Sequence, residues 1–303
     1  MKNILQRSGA LAFALIAMVL LVSCEKEVHV NLSSGTPSVV IQGAIESDLP
    51  PYVLLTRSVG YLAKIDLGTL QNSFVHNAKV TVSDGTTEIT LKEYSLDTGT
   101  SNKFYFYSID TADQTSFYFR GRTEHYYTLK VEAEGKTYTS VTKVPNVEPL
   151  NNVWVDTVTA PPDKIPLARL IYFKYTDPDT PGNCIRYFTK RNSEPFYPGI
   201  GSVYNDEIVN GSSISTNFLA GYDRSKEPNL DSLGFFYVGD TVVIKWCAID
   251  KGVYNFWNTF EFATGTVGNP FASPINVQTN IKGGALGVWA GYGAVQRTII
   301  ISK

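Results

Sequence analysis

The sequence predicts a mainly β protein: an N-terminal immunoglobulin- or transthyretin-like β-sandwich, then a second β-sandwich or barrel-like domain with one covering helix. Three observations carry this. Aromatic residues are 13% of the 303, with 18 Tyr and 16 Phe, and 24 Gly and 15 Pro are spread among them. That mix suits pleated, half-buried surfaces broken by turns. Short apolar runs follow one another at strand-and-turn intervals from Val39 to Val144. One segment carries helical spacing instead: Val253, Phe256, Trp257 and Phe260 stand at i, i+3, i+4 and i+7.

The first element is a processing signal. Lys2 and Arg7 form a positive start, and Ala10–Val22 is an apolar run of 13 residues. A bilayer-spanning helix needs about 20, so residues 1–23 read as a signal peptide. The run ends in Leu21-Val22-Ser23-Cys24, an aliphatic residue three before Cys and a small one directly before it. This is the bacterial lipobox pattern. The Cys24 thiol is expected to accept a diacylglycerol, with cleavage between Ser23 and Cys24 and acylation of the new terminus. Two or three acyl chains anchor durably where one does not. Glu25-Lys26-Glu27 follows, without the Asp that retains lipoproteins in the inner membrane, so the outer membrane is expected, with surface exposure open. Residues 24–37 read as a lipidated tether.

Within residues 38–147, Val39–Ile45 and Tyr52–Thr56 are strand candidates. Val80–Val82 and Ile89–Leu91 flank Asp84-Gly85, a hairpin turn that takes positive φ. Tyr127–Val131 alternates, Glu134-Gly135 turns the chain, and Tyr138–Val144 returns. Pro145, Pro149, Pro161, Pro162 and Pro166 crowd the next stretch, and the domain boundary is expected near Val147–Asn151. Residues 148–303 open with Leu170–Tyr175, pass a long polar, Gly-rich stretch from Asp177 to Asp231, and resume at Asp240–Trp246. Asp250 is the expected N-cap of the helix, and Gly265 lies past its end. Gly283-Gly284-Ala285-Leu286-Gly287 and Gly291-Tyr292-Gly293 lack a nucleotide-loop spacing. They read as bulges or close backbone approaches beside a C-terminal strand, Arg297–Ser302.

Chemistry is sparse. The chain has no zinc-protease His-Glu-x-x-His, no Gly-x-Ser-x-Gly elbow and no phosphate loop. His29, His76 and His125 are isolated in sequence. No catalytic residue, cofactor or firm metal site is expected. Asp177, Asp179 and Asn183 space their oxygens as calcium loops do, but the closing Glu position of an EF-hand is Phe188, and Asp-Pro and Pro-Gly make plain turns. Cleavage at residue 23 removes two of 26 basic residues and none of 28 acidic ones, for a mature net charge of −4. No basic stripe stands out, so no nucleic-acid partner is expected. Cys184 and Cys247 read most simply as two buried thiols; a disulfide is also open outside the cytoplasm. In the aromatic run 104–107, strand alternation is expected to place Phe104 and Phe106 in the core and Tyr105 and Tyr107 outside. Phe117-Tyr118-Phe119 and Phe235-Phe236-Tyr237 are further aromatic clusters.

Several segments together resemble a bacterial lipoprotein family catalogued as domain of unknown function 4249. They are the lipobox with Glu25-Lys26-Glu27, Val39-Val40-Ile41-Gln42-Gly43, Tyr52–Thr56 and Val82-Ser83-Asp84-Gly85. Further on come Gly239-Asp240-Thr241-Val242 leading to Ile249-Asp250 and Tyr254, then Asn269-Pro270-Phe271 and Asn280–Gly287. Asn183-Cys184-Ile185 departs from the aromatic pair the family shows after Asn. The resemblance implies an outer-membrane lipoprotein encoded beside a TonB-dependent transporter, and it carries no catalytic residue across. A non-enzymatic accessory or ligand-capture component is the leading expectation. A surface hydrolase using Asp206, Glu207 or Asp223 on glycans or peptides is the alternative, and a structural or adhesive envelope protein the third.

Overall fold

The computed structural model describes residues 36–60, 66–97, 99, 103–150, 152–158, 167–208, 210–267, 269, 271–273 and 275–302. The expected signal peptide, Ser23, Cys24, His29, Pro161, Pro162, Pro166 and Pro270 lie outside them. Pro37–Lys303 forms one compact unit.

The protein is mainly β. In chain order the elements are β1 (Val39–Glu46), β2 (Tyr52–Arg57), α1 (Leu67–Ser73), β3 (Lys79–Ser83), β4 (Glu88–Asp97), β5 (Lys103–Ile109), α2 (Gln114–Tyr118), β6 (His125–Ala133), β7 (Lys136–Val144), β8 (Asn152–Thr157), β9 (Ala168–Thr176), β10 (Cys184–Arg191), β11 (Tyr197–Asn205), β12 (Ser213–Phe218), β13 (Phe236–Tyr237), β14 (Thr241–Ile249), α3 (Lys251–Gly265) and β15 (Leu286–Ile300). Eleven strands form one sheet in the order β11-β10-β14-β15-β1-β2-β5-β4-β3-β6-β7. Every neighbouring pair is antiparallel except β1 and β15, which run parallel. A second sheet is built on β9, with β8 along one edge and β12 and β13 along the other.

The hairpins form where turn chemistry asks for them. Asp84 accepts hydrogen bonds from the Thr86 and Thr87 backbone, closing the β3–β4 turn. Glu134 and Gly135 both take positive φ between β6 and β7, as a two-residue turn of this hand requires.

β15 joins the two halves of the molecule. Leu286–Tyr292 pairs with β1, and Gly293–Ile300 pairs with β14. The large sheet therefore takes strands from both before and after the Val147–Asn151 stretch. The first core, mostly from β1–β7, takes in Ile281, Ala285 and Trp289 from the C-terminal segment. β6 and β7 also contact that segment. Thr139 and Lys282 exchange both backbone hydrogen bonds, Trp289 Nε1 donates to the Tyr127 carbonyl (2.9 Å), and the Gly291 N–H donates to Thr142 Oγ1 (2.8 Å). Gly287 makes the β1 contact possible: its φ is +108°, and a Cβ there would collide with the Ile41 carbonyl. The expected close backbone approach is thus real, but Gly287, Gly291 and Gly293 lie inside a strand that begins at Leu286, eleven residues before Arg297, and Gly283 and Gly284 precede it.

A second core lies between the small sheet and β10–β14, with Phe173, Tyr187, Phe218, Phe236 and Trp246 all buried. Three strands, β10, β11 and β12, lie in the stretch read as polar loop. Their apolar residues alternate with polar ones that also find partners indoors, so hydrophobicity averaged along the stretch hides them.

The phase of β5 is the reverse of the expectation. Tyr107 and Ile109 are buried, and Phe104 is 40% exposed. The Tyr107 hydroxyl donates to the Val75 carbonyl and to Glu93 and accepts from the Ala78 N–H. A buried tyrosine is stable where its hydroxyl is satisfied in this way. Phe117 and Tyr118 belong to the short helix α2 and are exposed, while Phe119 enters the first core. Phe236 is buried in β13.

Candidate functional site

The site lies on the face of the large sheet that α3 covers. Strand alternation sends Gln42, Ala44 and Glu46 of β1, Arg186 and Phe188 of β10, Lys245 of β14 and Tyr292 of β15 to this side. α3 starts at the expected N-cap: Asp250 Oδ1 accepts from the Val253 N–H (2.9 Å). Its second oxygen accepts from the Lys143 N–H (3.0 Å) and the Thr142 hydroxyl, tying the helix start to β7. Val253 and Phe256 then pack on Cys184, Cys247, Ile249 and Val288 in a third core. One turn further, Trp257 and Phe260 overhang an open cleft of about 560 Å³. Phe196, Pro198 and Arg224 line it on another side, and Leu49, Pro50 and Tyr52 complete the lining.

Aromatic rings and cations alternate along this cleft. The Arg186 guanidinium carbon is 3.4 Å from the Trp257 ring centroid and 4.7 Å from that of Phe188. Lys245 Nζ is 4.9 Å from the Phe188 centroid and 5.2 Å from that of Phe196. Lys190 Nζ lies 5.9 Å from Phe196 on its other contact. A cation over a ring face is attracted by the ring quadrupole, more so when water is kept away.

Hydrogen bonds fix the ladder at its buried end. Arg186 is 3% exposed. Its Nη1 donates to the Tyr292 hydroxyl (3.0 Å), as does Trp257 Nε1 (3.0 Å), and its Nε donates to Ser202 Oγ (3.4 Å). Ser202 in turn donates its N–H (2.8 Å) and its hydroxyl to Glu261 of α3. Arg224 stands 3.6 Å from Glu261, and Lys245 pairs with Glu46 at 2.9 Å. Among the described residues, no carboxylate comes within 4.0 Å of Arg186, and Nη2 has no acceptor. The Arg186 side chain is among those that line the cleft.

Burial raises the Tyr292 hydroxyl well above its ordinary value, with Arg186 pulling the other way. Tyr52 keeps 47% of its surface exposed, and partial removal from water, aided by Tyr292 and opposed by Arg186, raises its hydroxyl as well. Both phenols are neutral at physiological pH, so the charges lining the cleft are those of Arg186, Arg224, Lys245 and Glu46.

The residues singled out in the sequence fall elsewhere. Asp177 is buried, and Asp179 is exposed. Asp177 accepts weakly from the Gly211 N–H (3.3 Å), and burial together with the Asp206 charge raises its pKa. The Asn183 amide donates to the Pro178 and Thr180 carbonyls, which closes the loop. Among the described residues, no group of three or more His, Cys, Asp or Glu is placed to hold a metal ion. Asp206 accepts from the Gly182 and Asn183 N–H groups, Glu207 pairs with Lys251, and Asp223 caps Ser225. Each of these carboxylates has a local partner. His76 contacts Glu93, and His125 contacts the Thr123 carbonyl. Cys184 and Cys247 are both free and buried, on neighbouring strands but offset by two residues.

Sequence reading found Trp257 and Phe260 as a helix face but not Arg186, Phe188, Lys245 or Tyr292. A signal existed in Cys184-Ile185-Arg186-Tyr187-Phe188, where a strand's alternation puts a charged residue and an aromatic on one face.

No curated protein matches the chain. A family model described as domain of unknown function (DUF4249) matches residues 25–298, and the chain belongs to that family.

Proposed function

We propose that this protein is a non-enzymatic ligand-capture component, lipid-anchored through Cys24 in the outer membrane and acting as accessory to a TonB-dependent uptake system. The anchor and its membrane follow from the lipobox and the residues after it, and the transporter follows from the family resemblance. On this reading the β1–β7 part of the large sheet is the immunoglobulin- or transthyretin-like unit, and the remainder a second sandwich or barrel-like unit with α3 as its cover.

The observation that carries capture is the cleft under Trp257 and Phe260. It is open, walled by aromatic rings, and its polar groups are held by one another, the form of a preorganised binding site. Glu46 is engaged by Lys245, and Glu261 by Ser202 and Arg224. Ser202, the hydroxyl beside Glu261, is fully buried. These groups orient and hold rather than attack.

The test is affinity purification of the tagged full-length protein from its native membrane in mild detergent, with partners identified by mass spectrometry. Stoichiometric recovery of a TonB-dependent transporter is expected. Recovery of the protein alone in several detergents would overturn the accessory role.

A further inference from the structure

Resting on the capture reading, we infer that the cleft takes a ligand with a carboxylate head and a flat apolar body, the head read by Arg186 and the body lying on Trp257. The argument starts from cost. An arginine removed from water needs acceptors for its donors and a counter-charge for its cation. Arg186 is 3% exposed, yet Tyr292 and Ser202, its two hydrogen-bond partners, are neutral hydroxyls. The Trp257 ring supplies attraction across one face and no acceptor.

What remains is Nη2, which has no acceptor among the described residues and belongs to a side chain that lines the cleft. A carboxylate is the planar acceptor that a guanidinium edge matches best, and hydrogen bonds between ionised partners are the strong ones. The resident acids do not meet this need, because Glu46 is held by Lys245 and Glu261 by Ser202 and Arg224. Arg224 adds a second cation at the same cleft. With three cations to one carboxylate among the lining side chains, a cationic head is repelled and a neutral one leaves Arg186 without its counter-charge. The apolar body follows from Trp257, Phe260 and Phe196, whose rings offer contact area and no charge.

The test uses the full-length protein in detergent and three probes that share one body: 3-phenylpropionate, 3-phenylpropionamide and 3-phenylpropylamine. Tryptophan fluorescence reads binding, and Trp257→Phe identifies the part of the signal that comes from the cleft. Probes of this size bind in the millimolar range. The carboxylate is expected to bind at least about tenfold more tightly than the amide, with the amine weakest. In Arg186→Gln the acid and the amide are expected to bind alike.

Equal binding of amide and acid to the unaltered protein would overturn the carboxylate assignment while leaving capture standing. So would an acid preference that survives Arg186→Gln. Absence of binding by all three at about 10 mM would also overturn it, and the membrane purification would then judge the accessory role separately. The ranking on the unaltered protein decides the matter even if Arg186→Gln fails to fold.

Discussion

The guanidinium of Arg186 stands 3.4 Å from the centroid of the Trp257 ring, and both side chains donate a hydrogen bond to the Tyr292 hydroxyl. One residue lies on β10, one on α3 and one on β15. This triangle fixes the helix to the sheet at the point where the third core gives way to the open cleft. The cleft's shape is therefore set by a few polar and aromatic contacts as well as by apolar packing.

Trp257→Leu tests that arrangement. The substitution keeps an apolar side chain on the helix face but removes the ring over Arg186 and the donor to Tyr292. A loss of about 2–3 kcal/mol in unfolding free energy is expected by urea denaturation. Phe262→Ser is the control, because Phe262 is 50% exposed and its change is expected to stay within about 0.5 kcal/mol. A loss below about 1 kcal/mol for Trp257→Leu would show that the triangle contributes little to holding α3.

Gly287 and Gly284 make a second, paired test. Both take positive φ, +108° and +88°. A Cβ on Gly284 meets open space, while one on Gly287 runs into the Ile41 backbone. Gly284→Ala is expected to cost about 1 kcal/mol, the strain of a side chain at positive φ. Gly287→Ala is expected to cost more than about 3 kcal/mol or to abolish folding, because β1 and β15 cannot move apart without losing the parallel ladder. Similar thermal melting of the two variants would contradict the register of that pairing.

These positions show what the sequence made legible. Hairpins were readable where one local chemistry dictates the turn, as at Asp84-Gly85 and Glu134-Gly135. The helix was readable because four apolar residues shared its period and Asp250 stood at its start. The β1–β15 pairing was not readable, since strands some 240 residues apart leave no local trace beyond the glycines between them. β5 was misread by one position because Phe and Tyr serve equally well indoors when the hydroxyl finds a carbonyl. The cleft was hidden for a related reason. Arg186 and Lys245 look like solvent-facing residues until Trp257, Phe188 and Phe196 are brought over them by elements distant in the chain.

Asp177 supplies a pH test. Burial and the Asp206 charge raise its carboxyl above the usual value. A raised carboxyl pKa means the folded state holds its proton more tightly than the unfolded chain does. Its contribution to stability is therefore fully present below the unfolded value and is lost as pH rises through the folded one. Asp177→Asn removes that charge while keeping an oxygen for the Gly211 N–H. The variant is expected to gain melting temperature relative to the parent at pH 7 and to gain little at pH values below the unfolded carboxyl range. An equal gain at both pH values would mean that charge burial is not the cause.

The thiols supply the last test, and it bears on the lipid anchor as well as the fold. Cys184 and Cys247 are 2% and 0% exposed, free of each other, and face α3 in the third core. Burial pushes their pKa values to about 11 and about 12. At pH 8 the reactive thiolate of either is below about one part in a thousand, and the reagent cannot reach it without unfolding. The mature protein purified from membranes is therefore expected to give almost no prompt reaction with an aromatic disulfide reagent. In guanidinium it is expected to give two thiols per chain, because a lipidated Cys24 holds its sulfur in a thioether. Three thiols would mean that Cys24 is unmodified and the lipobox reading fails. None would mean that Cys184 and Cys247 are bridged, which requires β10 and β14 to pair differently at that end of the sheet. Two thiols that react promptly in the native protein would mean that α3 does not stay closed over the third core.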